Sequence, residues 1–271
     1  IYQLSAPDYF HATGAMINGP LLTSGDYDGD GTEELAVAYM SGDTTGTWTD
    51  SLKINIVRLT FDDSLRVTEH SSLADQDIVL NHLPTFLDDR SNQPMRLFEL
   101  TSGDFNGHGK DDILLAGREA VGPGGGWNLF VNLYGYDAGI GQWQQKLHEP
   151  VYTRPDTATN LDYELLDIKL KSGNLNRTAS EQAVIGFTQY YSSSSRTQRA
   201  EPYMIAVSFD GSLSRITTSE LMATAESSVF MDRGYTANSI ELADINNDGL
   251  VEIVSVAGEV WSAPVVIYQL S

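Results

Sequence analysis

The sequence predicts an all-β fold, a β-propeller of four-stranded antiparallel blades, and three observations predict it. A nine-residue loop, acidic in three of its copies, returns four times, a short apolar run follows each copy, and behind each run comes a second strand-like segment. The copies are Asp26-Tyr-Asp-Gly-Asp-Gly-Thr-Glu-Glu34, Asp104-Phe-Asn-Gly-His-Gly-Lys-Asp-Asp112, Asn174-Leu-Asn-Arg-Thr-Ala-Ser-Glu-Gln182 and Asp244-Ile-Asn-Asn-Asp-Gly-Leu-Val-Glu252. Their first positions, 26, 104, 174 and 244, lie 78, 70 and 70 residues apart. A near-constant period of this kind means one structural unit used several times.

The elements of the unit follow in order. Leu21-Leu-Thr-Ser24 runs into the first loop. After the loops come Leu35 to Met40, Ile113 to Ala116, Ala183 to Phe187 and Ile253 to Ala257, unbroken apolar runs that fit strands buried on both faces. The next strands are Leu52 to Leu59, Leu129 to Tyr134, Tyr203 to Ser208 and Val265 to Leu270. A turn then recurs, since Phe61-Asp-Asp-Ser-Leu65 and Phe209-Asp-Gly-Ser-Leu213 both begin 35 residues after their loops. Polar, edge-like strands close the units at Arg66 to His70, Gln144 to His148 and Ser214 to Thr218.

Each unit is thus a four-stranded meander, and one such sheet cannot cover both of its faces. Radial stacking of blades solves this. The expected blades span about 14–74, 95–150, 161–220 and 235–271 of one domain, as a ring of four or part of a larger propeller. The extra residues of the first interval fall in Asp75 to Pro94, while Gly122 to Gly126 and Ser192 to Ser195 are loop tips.

Oxygen-bearing side chains stand at positions 1, 3, 5 and 9 of the loops, and Gly stands at position 6 in three of the four. A hard divalent cation such as Ca2+ takes several oxygen ligands from alternate residues of a tightly curled loop, often with a backbone carbonyl at position 7. An EF-hand would close at position 12 between helices. Here the acid closes at position 9 and a strand follows.

In the first loop the ligands would be Asp26, Asp28, Asp30, Glu34 and the carbonyl of Thr32; in the fourth, Asp244, Asn246, Asp248, Glu252 and the carbonyl of Leu250. An ion-free acidic turn is the competing reading, disfavoured because four clustered carboxylates repel one another. The second loop offers Asp104, Asn106, Asp112 and the carbonyl of Lys110, but places His108 where a hard cation prefers oxygen. Two Ca2+ sites are therefore expected at 26 and 244, with a weaker third at 104. The third loop, with Asn174, Asn176, Thr178 and Gln182, carries no charge among these positions and reads as a turn held by its own hydrogen bonds. Asn176-Arg-Thr178 also matches a glycosylation sequon.

Composition narrows the function. Of 271 residues, 41% are apolar, which supplies a core, while 37 acidic against 16 basic residues give a net charge of −21. Such a field repels nucleic acid and anionic membranes and favours cations. There is no cysteine, hence no disulfide or thiolate site. No apolar run approaches the roughly 20 residues of a membrane span, and Ile1-Tyr-Gln-Leu-Ser5 lacks a charged start and an apolar signal core. A mature or excised soluble piece without membrane insertion is expected.

The five histidines are scattered, neither Gly-x-Ser-x-Gly nor His-Glu-x-x-His occurs, and Gly122 to Gly126 lacks the Lys of a phosphate loop. No catalytic constellation emerges. Aromatics mark the loops behind the second strands: Trp48, Trp127, Tyr190, Tyr191 and Trp261. They would either present flat faces to a ligand or pack between blades. Trp143 reads as packing.

Ser24-Gly-Asp-Tyr-Asp-Gly-Asp-Gly-Thr-Glu-Glu-Leu35, Ser102-Gly-Asp-Phe-Asn-Gly-His-Gly-Lys-Asp-Asp-Ile113, Ser172-Gly-Asn-Leu-Asn176 and Leu242-Ala-Asp-Ile-Asn-Asn-Asp-Gly-Leu-Val-Glu-Ile253 resemble the FG-GAP and VCBS calcium-binding propeller repeat, also found in the integrin alpha-subunit head. The resemblance covers nearly the whole chain. It implies Ca2+ between the first and second strands of a blade, and a partner at the opposite rim. Two departures stand out: family propellers commonly have seven blades, and the third loop has lost its acids. The expected function is a calcium-stabilised extracellular or cell-surface module that binds a protein or glycan. A polysaccharide-active enzyme or its propeller domain, and an architectural segment of a surface protein or toxin, are the alternatives.

The ends carry one more signal. Ile1-Tyr-Gln-Leu-Ser5 returns as Ile267-Tyr-Gln-Leu-Ser271, and residues 6–13 supply the turn and strand that the fourth unit lacks. A ring closed by Tyr9 to Thr13 against Val265 to Leu270 is expected; a displaced copy, a longer array, or two chains completing each other's blades are the other ways to place both copies.

Overall fold

Sixteen strands and no helix make up what the computed structural model describes, namely residues 21–41, 51–61, 67–72, 98–120, 127–153, 162–192, 198–223, 229–230, 236–259 and 265–268. The first sheet holds β1 (Leu21–Gly25), β2 (Glu34–Ser41), β3 (Ser51–Phe61) and β4 (Val67–Ser72), in that order. In the second, β5 (Phe98–Gly103), β6 (Asp112–Ala120), β7 (Trp127–Asp137) and β8 (Gln142–Tyr152) follow the same path. The third has β9 (Asp162–Gly173), β10 (Gln182–Ser192), β11 (Gln198–Phe209) and β12 (Ile216–Ala223), with β13 (Val229–Phe230) pairing on β11 at Arg199 and Ala200. The fourth has β14 (Thr236–Ala243), β15 (Glu252–Glu259) and β16 (Val265–Tyr268). All pairs are antiparallel.

The expected order of four consecutive antiparallel strands, with the nine-residue loop between the first and second, is therefore present in three sheets. The fourth ends on β16 among the described residues. Residues 1–20, and with them the closure by Tyr9 to Thr13, lie outside those residues, as do Trp48 and Trp261.

Period-2 alternation decides what each face buries. In β6, Ile113 and Leu115 pack with the first sheet's Ala36, Ala38, Ile54 and Ile56. Leu114 and Ala116, one residue on in each case, pack instead with the third sheet's Ile168, Leu170, Ala183 and Ile185. That is why the run is apolar without a break. β10 does the same, with Ile185 and Phe187 toward the second sheet and Val184 beside Ile240 and Ile253 of the fourth. β8, shifted in register where β7 bulges at Leu133 and Tyr134, buries Trp143 toward the first sheet and Leu147 and Val151 toward the third, and its other residues are mostly exposed, as an outer strand's should be.

The first strands line up as the spine of the stack: β1 packs on β5, β5 on β9, and β9 on β14. The turn Phe209 to Leu213 is pinned by Asp210, whose Oδ1 accepts the N–H groups of Ser214 (2.8 Å) and Arg215 (3.2 Å). This drives Leu213 into the core at a φ of 56°.

One placement differs from the sequence reading. Trp127, Tyr190 and Tyr191 are strand residues rather than loop residues, with Trp127 opposite Ala120, Tyr190 opposite Ala200 and Tyr191 opposite Arg199. The hairpins simply run longer than the apolar runs that mark them, because aromatic residues extend strands well.

Candidate metal centres in the first-turn loops

The four loops join β1 to β2, β5 to β6, β9 to β10 and β14 to β15, so each sits at the same end of its sheet. In three of them one carboxylate curls the chain. Asp26 accepts from the N–H of Asp30 at 3.0 Å and of Gly31 at 2.8 Å; Asp104 from His108 at 2.9 Å and Gly109 at 2.7 Å; Asp244 from Asp248 at 3.0 Å and Gly249 at 2.9 Å. The side chain at position 3 adds a second bond to position 5, from Asp28 (3.2 Å), Asn106 (3.0 Å) and Asn246 (2.9 Å). Asp30 and Asp248 then accept the N–H of Thr32 (2.8 Å) and Leu250 (2.9 Å).

So tight a curl needs left-handed backbone at two places. Gly31, Gly109 and Gly249 have φ of 85°, 78° and 86°, and at position 4 Gly29, Gly107 and Asn247 have φ of 77°, 72° and 59°. Only residues that tolerate this conformation suit these positions, and Gly tolerates it best. Arg177 and Ala179 occupy them in the third loop, where no residue has positive φ. That loop is held differently: Asn176 Oδ1 accepts the Thr178 N–H at 2.9 Å, and the Gln182 amide bonds the Thr178 hydroxyl at 3.1 Å and the Leu175 N–H at 3.0 Å. Its self-contained hydrogen bonding is as the sequence predicts.

The residue at position 9 closes each loop from the buried side. Glu34 accepts the Tyr27 N–H (3.1 Å), Gln182 that of Leu175, and Glu252 that of Ile245 (2.8 Å) together with the Asn246 amide (2.7 Å). Asp112 is one methylene shorter. The Phe105 N–H turns instead to the Gly103 carbonyl at 3.0 Å, and Asp112 Oδ2 is buried with no hydrogen-bond partner among the described residues. Burial pushes the Asp112 carboxyl up to about 7, with Asp104 and Asp111 adding to the rise and Lys146 opposing it. A buried carboxylate oxygen without a partner is costly, and a cation beside it removes the cost.

The first loop gathers the most charge. Among the described residues, Asp26, Asp28 and Glu34 form an acid triple whose ligand atoms lie within 4.8 Å of one another. Sequence reasoning missed the residue that faces them. Arg58 of β3 places its guanidinium 2.6 Å from Glu34 Oε1, 2.7 Å from Asp28 Oδ2 and 3.0 Å from Asp30 Oδ2. Burial still raises the Glu34 carboxyl, while the bonds from Arg58 and the Tyr27 N–H pull against that rise. The signal was there to read: in Ile54-Asn-Ile-Val-Arg58 the charge falls on the same parity as the buried Ile54 and Ile56. A charge on that face needs a partner. The register puts Gly135 and Ser208 at the corresponding places of β7 and β11.

The donors of these loops are oxygens except at His108, which is exposed and whose N–H is used in the curl. The set fits a hard cation. Lys110 lies across the neighbouring loop, where a Cβ on Gly29 would meet its Cε at 2.7 Å. No helix among the described residues is long and apolar enough to cross a membrane. No protein-family model matches the chain, and comparison with curated proteins finds no match either.

Proposed function

We propose that the chain is a calcium-stabilised β-propeller module that works outside the cell or at its surface by binding a protein or glycan. One observation carries the calcium reading. The three loops that keep an acid at position 1 share one curl, with that carboxylate taking two backbone N–H groups and left-handed residues at positions 4 and 6. In the loop without acids at these positions, Asn174 Oδ1 is buried with no partner among the described residues and that curl is not formed.

In this reading Asp26, Asp28, Asp30 and Glu34 hold one ion with the carbonyl of Thr32. Asp104, Asn106 and Asp112 hold another with the carbonyl of Lys110; Asp244, Asn246, Asp248 and Glu252 hold a third with the carbonyl of Leu250. The ion's work is structural: it neutralises acids that a chain of net charge −21 crowds at the first turn of each sheet. In the first loop Arg58 shares that work. Sites of this kind suit affinities of about 10⁻⁴ to 10⁻³ M, loaded outside cells and empty in the cytosol. Support for a ligand at the far rim comes from Trp127, Tyr190 and Tyr191, which lie at the ends of β7 and β10 remote from the loops.

Melting curves with and without chelator test it. An ion bound by the native state alone adds RT ln(1 + [L]/Kd) to stability. Excess chelator is expected to lower Tm, Asp244→Ala to blunt that response, and Asn174→Ala to leave it intact. Identical curves with Ca2+ and with chelator would overturn the reading.

A further inference from the structure

The three junctions between consecutive sheets use the same parts. The N–H at position 8 of each following loop donates to the carbonyl at position 1 of the loop before it: Asp111 to Asp26, Glu181 to Asp104, and Val251 to Asn174, each at 2.9 Å. The apolar residue at position 2 goes under the following sheet, so that Tyr27, Phe105 and Leu175 are at most 1% exposed. Tyr27 is capped there by the Ser102 hydroxyl at 2.6 Å and the Trp143 ring, and Phe105 by Phe209. In return, the apolar residue four places before each following loop goes under the preceding sheet. Leu100, Leu170 and Ile240 are accordingly 5%, 2% and 1% exposed.

Both halves of a fourth such junction stand in solvent. Leu22, the first sheet's counterpart of Leu100, is 60% exposed, and Ile245, the fourth sheet's counterpart of Leu175, is 55% exposed. Each has apolar company. Leu22 pairs across β1 and β2 with the half-buried Val37. In the same sheet as Ile245, Val254 pairs with Ile267, which is 57% exposed.

We infer that these two faces are an interaction surface for a second copy of this chain, the front of one copy's first sheet seating on the back of the other's fourth sheet. The occupant follows from the interface the molecule already builds three times: the one surface shaped for the back of a sheet in this stack is the front of another. One chain leaves both halves exposed, whereas two chains joined head to tail at both ends bury all four. Two copies carry eight sheets, within the roughly four to eight blades of propellers. This goes beyond the calcium reading and stands without it.

The new junction differs from the others at one atom. Gly25, Gly103 and Gly173 precede the first three loops because the position-8 side chain of the next loop lies against them. An added Cβ would meet Asp111 Oδ2 at 2.7 Å and Val251 Cγ2 at 2.9 Å, and Glu181 Oε2 closer still. Ala243 stands at that place before the fourth loop, where the incoming residue is Glu33 of the second copy. The Glu33 carboxylate must swing aside, and the charge of −21 on each copy repels the other. The dimer is therefore reversible and tightens with salt, which screens that repulsion.

The chain has no cysteine, so single thiols report the contact cleanly. A Leu22→Cys chain mixed with an Ile245→Cys chain is treated with a short bis-maleimide, beside sedimentation of the unmodified chain over a concentration series. The expected result is a cross-linked species of twice the chain mass from the mixture and little from Leu22→Cys alone. Sedimentation should pass from one to two chain masses, and Ile245→Asp, at an exposed site, should weaken association at least tenfold while leaving the melting curve unchanged at concentrations where the unmodified chain is a monomer. A monomer at all concentrations, or a Leu22→Cys, Ile245→Cys double variant that cross-links only within one chain, would overturn the dimer. Neither outcome touches the chelator response, so the two readings fail separately.

Discussion

Arg58 alters what the acids of the first loop require. Glu34 is a buried carboxylate, and in the absence of an ion the guanidinium is the positive charge beside it and beside Asp28 and Asp30. Arg58→Gln should therefore cost about 1–3 kcal/mol in chelator, the low side for a buried pair because Arg58 is itself partly open to water. In saturating Ca2+ the loss should shrink, so the gap in Tm between the two conditions should widen relative to the unmodified chain. An unchanged gap means that Arg58 and the ion do not share the site.

Asp112 gives a pH test with a fixed sign. Its folded-state pKa of about 7 lies above the ordinary carboxyl value, so the folded protein holds a proton that the unfolded chain releases. The stabilising contribution is full below about pH 4 and is lost as pH rises through about 7. In chelator, Tm should fall between pH 5 and 8, and Asp112→Asn should flatten that fall. A steeper profile in Asp112→Asn would mean that the buried carboxyl is not the group titrating.

At the scale of elements, the glycines just before the loops set how closely sheets approach. Gly173→Ala would drive a methyl into Val251 Cγ2 and Leu242 Cδ1, and overpacking of this kind costs about 1–3 kcal/mol. Val251→Ala in the same chain should return part of that loss, a coupling that a double-mutant cycle reads directly. Additive losses would show that the two residues do not meet.

The elements were largely legible in the sequence because Ile113 to Ala116 and Ala183 to Phe187 are apolar on both parities, which marks a strand covered on both faces. The hairpin ends were not legible. Tyr190 and Tyr191 follow Thr188-Gln189, a polar pair that reads as the start of a loop, yet both of those residues are buried in β10. Their burial comes from neighbouring strands and not from their own polarity.

For the molecule as a whole, spacing revealed the four loops and the chemistry of their oxygens, since alternate acids around a glycine leave their mark within nine residues. What spacing hid was everything contributed from another strand or sheet. Arg58 reaches the first loop across a hairpin, Asp111 bonds the Asp26 N–H at 3.0 Å from the next sheet, and Trp143 covers Tyr27 from that sheet's outer strand. Such contacts depend on register and stacking, which no local pattern encodes. The same stacking turns Leu22 and Ile245 from unremarkable apolar residues into matching ends.

Equilibrium dialysis against labelled Ca2+ counts directly the ions proposed for the acidic loops. The predicted result is three ions per chain, one fewer for each of Asp26→Ala, Asp104→Ala and Asp244→Ala, and no change for Asn174→Ala. Absence of saturable binding up to about 10 mM, ten times the weakest affinity expected of an extracellular module, would contradict it.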